Sequence, residues 1–253
     1  LSALARFLNF DGHEISGSDM KSSLITKALE DEGIKVSCPQ SASNMQDDFD
    51  LVIYSAAVTD ENPELIEARL KQIRTLSRKE ALPIILGDKK NYCVAGAHGK
   101  STTTAILASI LESSALIGAI SKDFGSNFRY VNDLIAFEAD ESDASFLLSN
   151  PYCAIVTNAE PEHMEYYHYD YDKFYGSYER FLSLAKKRVV NAEDKDIAKL
   201  KIEDAVCLYP SKDIKNLCYT LKNGEPCTKF DLKDLGTFEV WGFGFHMASN
   251  ASL

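Results

Sequence analysis

The sequence YCVAGAHGKSTTTAILA, from Tyr92 to Ala108, sets a glycine-rich turn between an apolar strand and a helix. Glycines let the backbone curl its N–H groups around phosphate oxygens, and the positive end of the following helix faces the same point. The spacing differs from that of the usual P-loop, because two residues separate Gly96 from Gly99 and Val94 stands where the first glycine is expected. We nevertheless predict a nucleotide phosphate loop; the alternative is a strand–turn–helix connection without a ligand.

Three side chains at the start of this helix carry the chemistry that a nucleoside triphosphate requires. Lys100 supplies a cation for the outer phosphates, Ser101 a hydroxyl for magnesium, and Thr102 a hydroxyl in the first helical turn. The predicted nucleotide contacts are Gly96, Ala97, His98, Gly99, Lys100, Ser101 and Thr102. The stretch therefore predicts a nucleoside triphosphate and Mg²⁺ as its ligands.

The composition restricts the class of protein. A chain of 253 residues with 45% hydrophobic residues is long enough to bury two modest cores. The net charge of -11 argues against a nucleic-acid-binding surface, because such surfaces cluster Lys and Arg. The six cysteines are scattered without a C-x-x-C pair, which favours reduced thiols in a cytoplasm. Since no apolar run approaches the roughly 20 residues that span a bilayer, we expect a cytoplasmic two-domain protein that binds neither nucleic acid nor membrane.

Short apolar segments alternate with helical segments along the first part of the chain, a pattern typical of parallel βαβ units. Strands are predicted at 13–16, 50–56 and 82–86, and Asn62-Pro63-Glu64 marks the start of a helix. We predict an α/β protein whose N-terminal domain, residues 1–88, is a Rossmann-like parallel sheet.

A second series of elements starts at the strand 91–96. A helix at 100–114, strands at 133–140 and 152–158, and a helix at 171–187 are predicted to follow. After Lys195 the apolar segments shorten, beginning with AVCLYP at 205–210, and turn residues separate them, which predicts an antiparallel tail. We predict a central ATP-binding domain over residues 89–253, with a mainly parallel sheet and this small tail.

Acidic residues follow the strand at 133–140, where α/β proteins place their active crevice. The sequence LIAFEADESDASF contains Glu138, Asp140, Glu141 and Asp143. Glu138 lies closest to the strand and is the predicted magnesium ligand. The next strand ends in IVTNAEPEHMEYY, which brings Asn158, Glu160 and His163 to the same edge. The alternative for each group is a solvated loop.

The chain opens with a predicted helix and strand that end in Ser16-Gly17-Ser18-Asp19. In nucleotide-binding βαβ units an acidic residue after the second strand often meets a ribose hydroxyl. When Asp19 is considered alone, a solvated carboxylate at the end of a strand explains it better than a ribose contact does.

Three segments in this order, VAGAHGKSTTT, EADESDASF and IVTNAEPEHMEYY, strongly resemble the Mur ligases of peptidoglycan synthesis. SGSD, SAAVTDENPEL, GSNFRY and FGFHMASNASL resemble the flanking parts of the same family. Ala97, Glu162 and Met247 depart from the family pattern, where Thr, Asp and Asn are usual. We expect the family's first glycine motif and its C-terminal domain to lie outside this sequence, so that the chain alone is inactive as a ligase.

The resemblance is closest to the branch of the family that joins L-alanine to the lactyl carboxylate of UDP-N-acetylmuramate. It implies ATP and Mg²⁺ as cofactors, UDP-N-acetylmuramate and L-alanine as substrates, and an acyl phosphate intermediate. Lys100, Glu138 and His163 are the catalytic residues that it implies, with one magnesium held by Ser101 and Glu138 and a second by His163.

The resemblance also implies that residues 1–88 bind a uridine diphosphate sugar and that both domains contact the substrates. Asn158 is expected to orient the sugar, and Ser18, Asp19 and Ser55 are expected to line the uridine pocket. His246 and Asn250 are expected to meet the adenine.

Other functions stay open at this point. Within the family, the ligase that attaches a murein tripeptide to the same nucleotide is the nearest competitor. A non-catalytic nucleotide-binding module and a simple kinase or NTPase use the same loop. The sequence leaves the oligomeric state open.

Overall fold

The computed structural model describes residues 1–46 and 48–253. The chain divides into two compact units, Leu1–Gly87 and Asp88–Leu253. The elements of the first unit are α1 (Ser2–Phe10), β1 (Ser16–Ser18), α2 (Leu24–Asp31), β2 (Lys35–Ser37), a 3-10 turn (Ala42–Asn44), β3 (Leu51–Tyr54), α3 (Pro63–Leu70), β4 (Arg74–Ser77) and α4 (Arg78–Leu86). β1 pairs with β2 and β3 with β4, both in parallel, so the first unit is built from βαβ segments.

Helix α3 begins where the sequence predicted it. The side chain of Asn62 accepts hydrogen bonds from the N–H groups of Glu64 and Leu65, and Pro63 occupies the first helical position. An asparagine cap satisfies N–H groups that have no partner within the helix, and the fixed φ of proline suits that position.

The strand predicted at 82–86 is wrong, because these residues form the second half of α4. Ser77 and Glu80 form a capping box that starts the helix, and the side chains at 82, 85 and 86 are buried while Pro83 is exposed. That burial has the spacing of a helix, and a short apolar run alone does not distinguish helix from strand. The strand lies earlier, at Arg74–Ser77, and β1 likewise covers Ser16–Ser18 rather than 13–16.

The second unit is built on a seven-stranded sheet. Its elements are β5 (Lys90–Ala95), α5 (Lys100–Ile110), β6 (Ser114–Ser121), β7 (Ser126–Arg129), β8 (Leu134–Glu138), a 3-10 turn (Ser145–Leu148), β9 (Pro151–Val156), α6 (Tyr171–Leu184), β10 (Lys187–Asn191), a 3-10 turn (Ile197–Lys199), β11 (Val206–Leu208), α7 (Pro210–Asp213), β12 (Ile214–Lys222), β13 (Glu225–Leu232), β14 (Thr237–Trp241) and α8 (Phe245–Ser252). The strand order is β11-β10-β9-β5-β8-β6-β7, and every pair except β6 with β7 is parallel.

Strand β5 has β8 on one side and β9 on the other. The strands that follow β5 in the chain are placed first on one side of it, as β6, β7 and β8, and then on the other, as β9, β10 and β11. The strand order therefore reverses at β5. Open parallel sheets bind ligands at such a switch point, in the crevice outside the carboxyl ends of the strands. The glycine-rich turn after β5 and the polar residues after β8 and β9 all lie at this edge.

The tail of the chain differs from the prediction in one element. β12, β13 and β14 form the predicted antiparallel sheet, but the segment 205–210 contributes β11, which pairs in parallel with β10 in the main sheet.

Strands β6, β7 and β10 were not predicted, and α5 ends at Ile110 rather than at 114. The sequence carries no turn signal between α5 and β6, which explains that error.

An aromatic cluster packs α6 against the segments that follow β8 and β9. Phe174, Tyr178 and Phe181 on α6 are buried against Phe146, which follows β8, and Tyr167, which follows β9. Buried aromatic rings in edge-on and stacked contact stabilise their mutual placement. The cluster thereby fixes both polar segments at the switch point.

All six cysteines lie within the described residues, and they form no disulfide there. Over residues 1–46 and 48–253, every helix is too short or too polar to reach across a bilayer.

Candidate active site

The turn between β5 and α5 has the backbone of an anion-binding loop. Gly96 has φ +136° and Gly99 has φ +84°, values that L side chains rarely adopt. Gly99 caps α5 without a side-chain hydrogen bond, and the first helical bond runs from the N–H of Thr103 to the carbonyl of Gly99 at 2.9 Å. The N–H groups of the preceding first turn therefore lack helical partners and are available to an anion.

These loop residues share one pocket with a carboxylate of the neighbouring strand. The pocket has a volume of about 190 Å³. It is lined by Ala97, Gly99, Lys100, Ser101, Thr102 and Glu138. The structure thus brings together the loop and the acidic residue that the sequence predicted as its metal-binding partner.

Lys100 lies folded back on its own loop. Its Nζ donates to the carbonyl of Gly96 at 2.6 Å and forms an ion pair with Glu141 Oε1 at 3.0 Å. The exposed fractions of the two side chains are 16% and 4%, so the pair is largely removed from water. A buried ion pair requires good geometry, because both ions lose hydration.

Glu141 was predicted as a member of the acidic cluster, without this role. Burial raises the pKa of its carboxyl, and the charge of Lys100 opposes that rise. Its Oε2 has no hydrogen-bond partner within the described part of the chain. The backbone carbonyl of Glu141 accepts a 2.6 Å hydrogen bond from the hydroxyl of Tyr167, whose pKa burial raises to about 12. Tyr167 is therefore protonated at neutral pH and fixes the backbone that carries Glu141.

The two aspartates of the acidic cluster each accept a backbone hydrogen bond within a turn. Asp140 Oδ1 accepts from the N–H of Ser142 at 3.0 Å, and Asp143 Oδ1 accepts from the N–H of Ser145 at 2.9 Å. Aspartate commonly caps a backbone N–H two residues ahead in this way. Glu138 is the cluster member that lines the pocket.

The carboxylate of Glu138 rests against Gly118 of β6. The N–H of Gly118 donates to Glu138 Oε2 at 2.8 Å. A Cβ at position 118 would stand 2.9 Å from Oε1, which is closer than real contacts allow. The absence of a side chain at Gly118 is therefore what lets Glu138 take this position.

Ser101 and Glu138 are suitable Mg²⁺ ligands, since both present oxygen to the same pocket. Across the described residues, no three His, Cys, Asp or Glu side chains converge as a metal site. Magnesium in nucleotide enzymes is held by one or two protein oxygens together with phosphates and water, so a sparse protein site fits it.

The segment after β9 contacts the loop directly. Both the N–H and the carbonyl of His98 bond to the side-chain amide of Asn158, at 3.0 and 2.8 Å. The imidazole of His98 lies near carboxylates, with Nε2 at 3.4 Å from Glu162 and 3.7 Å from Glu160. The N–H of His98 is therefore already bonded to Asn158. The sequence had predicted that His98 contacts the nucleotide phosphates.

His163 is exposed, has φ +52°, and is absent from the lining of the pocket. It follows β9, at the same edge of the sheet as Glu138. A positive φ is uncommon for residues other than glycine. Its role at a second magnesium stays a prediction.

Helix α8 brings one predicted adenine contact to the loop. The side chain of Asn250 lies so close to Gly99 that a Cβ there would stand 2.6 Å from Asn250 Oδ1. The hydroxyl of Thr103 on α5 also donates to the carbonyl of Asn250 at 3.4 Å. His246 is exposed, and its ring packs against Gly244.

The predicted uridine contacts lie in the first unit. The hydroxyl of Ser18 donates to Glu64, a buried carboxylate that also accepts from Asn44 Nδ2 at 2.7 Å. Asp19 is exposed at the end of β1, and Ser55 follows β3. Their contacts with a ligand stay predictions, and Glu64 is a polar centre that the sequence patterns did not identify.

Comparisons with known proteins match both units. The family described as Mur ligase family, catalytic domain, matches residues 1–90, and the Mur ligase middle domain matches residues 94–252. This chain belongs to the Mur ligase family. The resemblance seen in the loop and strand-end motifs is thereby confirmed.

Similar Mur ligases are known from several bacteria. The UDP-N-acetylmuramate–L-alanine ligase of Campylobacter curvus is 56% identical over 254 residues, covering 100% of this chain and 58% of that enzyme. The enzyme of the same name from Helicobacter pylori (strain P12) is 48% identical and is covered to 56% of its length. The chain thus spans less than two thirds of the length of these relatives.

Solved Mur ligase structures share the fold. The UDP-N-acetylmuramate-alanine ligase of Thermotoga maritima superimposes with a TM-score of 0.84 at 27% identity, over 99% of this chain and 60% of that one. A UDP-N-acetylmuramate:L-alanyl-gamma-D-glutamyl-meso-diaminopimelate ligase from Neisseria gives 0.78 at 22% identity, over 98% of this chain and 86% of that one, and shows the fold alone. The α/β architecture predicted from the sequence is confirmed.

Gly118→Ala tests how this Mur ligase positions Glu138. The added methyl group should turn the carboxylate out of the pocket, and we expect the Mg²⁺ concentration for half-maximal ATP binding by the complete protein to rise by about fivefold or more. Magnesium titrations of ATP binding measure this. Gly176→Ala, where a Cβ meets nothing within 4 Å, serves as the control. An unchanged magnesium requirement in Gly118→Ala would contradict the assignment.

Proposed function

We propose that this chain forms the uridine-sugar and ATP-binding parts of a ligase that joins L-alanine to the lactyl carboxylate of UDP-N-acetylmuramate. The γ-phosphoryl group of ATP passes to that carboxylate and gives an acyl phosphate. The amine of L-alanine attacks the activated carbonyl carbon, a tetrahedral intermediate forms, and phosphate leaves. The convergence of Lys100, Ser101 and Glu138 on one pocket is the observation that carries this proposal.

Lys100 is the residue that neutralises charge on the transferred group. Both chemical steps concentrate negative charge on a few oxygens, so catalysis rests on positioning and electrostatic stabilisation. The Nζ of Lys100 donates to the carbonyl of Gly96, and Lys100 lines the pocket that we propose for the phosphates. The N–H groups at the start of α5 hold the remaining phosphate oxygens.

Magnesium is proposed to be held by Ser101 and Glu138, and by His163 at a second position. When bound, Mg²⁺ neutralises phosphate charge and aligns the reacting oxygens. The Oε2 of Glu138 is oriented by the N–H of Gly118, which leaves the carboxylate on the wall of the pocket. His163 acts as a metal ligand in its neutral form.

The contacts with substrates are proposed on the same basis. Ser18, Asp19 and Ser55 contact the uridine nucleotide, and Asn250 and His246 lie on the adenine side. Asn250 is supported by its contact with Gly99 at the start of α5. Cytoplasmic localisation agrees with the cytoplasmic supply of ATP and with cysteines that form no disulfide among the described residues.

Substrate dependence of ATP turnover tests the function. We expect the complete protein to release phosphate from ATP when UDP-N-acetylmuramate and L-alanine are both present, because each substrate completes one chemical step. A murein tripeptide in place of L-alanine should support far less turnover. Turnover that needs neither the muramyl nucleotide nor an amine would identify an NTPase, and preference for the tripeptide would identify the other ligase.

Lys100→Ala should abolish turnover in the complete protein. It removes the cation placed at the phosphates, at a cost on the order of 3–5 kcal/mol of transition-state stabilisation. Steady-state phosphate release measures the loss. Activity within a few-fold of the unmodified protein would show that the phosphate-loop assignment is wrong.

Glu141, which forms the ion pair with Lys100, provides a control that separates loss of stability from loss of turnover. Lys100→Ala alone leaves the buried carboxylate of Glu141 without its counter-ion, which is destabilising. The double variant Lys100→Ala, Glu141→Gln removes both charges. We expect it to regain thermal stability while turnover stays abolished, which separates the chemical role of the lysine from its structural one.

Glu138→Gln tests the first magnesium ligand. The substitution keeps the size of the side chain but removes its charge, so the magnesium needed for half-maximal turnover should rise by about tenfold. Asp143→Asn is the matched control, because Asp143 lies on the same segment and caps the N–H of Ser145. An equal rise in both variants would mean that the metal is bound elsewhere.

A further inference from the structure

The end of β9 is hydrogen-bonded to the phosphate loop through two adjacent side chains. Asn158 Oδ1 accepts from the N–H of His98 at 3.0 Å, and Asn158 Nδ2 donates to the carbonyl of His98 at 2.8 Å. The hydroxyl of Thr157 donates to the same carbonyl at 2.6 Å and accepts from Asn158 Nδ2 at 3.2 Å. These bonds use both polar groups of the amide and both backbone groups of His98.

The loop also packs against this pair without room for a side chain. A Cβ at Gly96 would overlap Thr157 Oγ1 and would stand 2.8 Å from the carbonyl oxygen of Asn158. Thr157 is itself anchored, since its N–H donates to the carbonyl of Ala95 and its carbonyl accepts from Asn191 Nδ2 at 3.1 Å. The segment that follows β9 therefore contacts the end of β5 at Ala95 and the loop at Gly96 and His98.

The short loop has a particular need for such support. Two residues lie between Gly96 and Gly99, and both glycines have positive φ. Lys100 Nζ donates to the carbonyls of Gly96 and Ala97, but it contacts neither polar backbone group of His98. Glycine loses more conformational freedom on ordering than any other residue. A loop that is held before the nucleotide binds avoids that loss at the moment of binding.

We propose that Asn158 is a positioning residue for the phosphate loop, which it holds in the conformation that binds ATP. This inference rests on the proposed binding of ATP at the loop and replaces the sugar-orienting role predicted from the sequence. Because the N–H of His98 is bonded to Asn158, the phosphates are bound by the N–H groups from Gly99 onward. Asn158 thus acts on ATP through His98 and touches no phosphate itself.

The affinities for the two nucleotides, measured separately in the complete protein, test the inference. We expect Asn158→Ala to weaken ATP binding by about tenfold or more, since it deletes both hydrogen bonds to His98. Its affinity for UDP-N-acetylmuramate, measured without ATP, should stay within about twofold. Asn158→Asp keeps the size of the side chain but sets an oxygen against the carbonyl of His98, and it should weaken ATP binding to a similar extent.

Asn132→Ala is the matched control for lost asparagine hydrogen bonds. Asn132 bonds to the carbonyl of Glu112 and to the N–H of Leu134, outside the loop. We expect a comparable fall in melting temperature with unchanged ATP affinity. Unchanged ATP affinity in both Asn158 variants, or weakening confined to UDP-N-acetylmuramate, would overturn the inference. Failure of the unmodified protein to bind ATP would instead overturn the proposed function.

Discussion

The buried ion pair between Lys100 and Glu141 is the interaction on which the site depends. It joins the helix after β5 to the segment after β8, which is also bonded to β5 through the N–H of Ala139 and the carbonyl of Val94. Each charge is held in place by other bonds as well, Lys100 by the carbonyl of Gly96 and the backbone of Glu141 by Tyr167. Removing either partner of such a pair leaves an uncompensated charge in a largely buried place, so the position of each residue depends on the other.

Close approach of the backbone is the second constraint. Gly96 faces Thr157, Gly99 faces Asn250 and Gly118 faces Glu138, and in each case a methyl group would collide with the opposite atoms. Two of these glycines lie in the turn between β5 and α5 and the third on β6, while the side chains that they face belong to three different parts of the chain. The groups that surround the proposed nucleotide site are thereby positioned by packing as well as by hydrogen bonds.

The sequence predicted those parts of the site whose chemistry is local. Gly96, Gly99, Lys100 and Ser101 follow from the backbone and charge that a phosphate requires, and Glu138 follows from its place at the end of β8. The role of Glu141 could not be predicted, because four acidic residues lie within six positions and only the turns formed by Asp140 and Asp143 separate them. The spacing of each aspartate to a serine two residues later is a signal that could have identified those turns. The strand predicted at 82–86 failed for another reason, since the short apolar run LPIIL fits either period.

The topology explains why so few protein groups serve such a site. Strand β5 carries the loop, and its two neighbours each end in one functional segment, Glu138 to Glu141 after β8 and Asn158 after β9. The segment at the end of β8 supplies the carboxylate of Glu138 to the pocket, and the segment after β9 supplies the neutral amide of Asn158, which bonds to the loop. A second carboxylate in place of Asn158 would repel both the carbonyl of His98 and the phosphates of a nucleotide. The neutral amide is therefore the side chain that can hold this short loop without adding negative charge beside an anion.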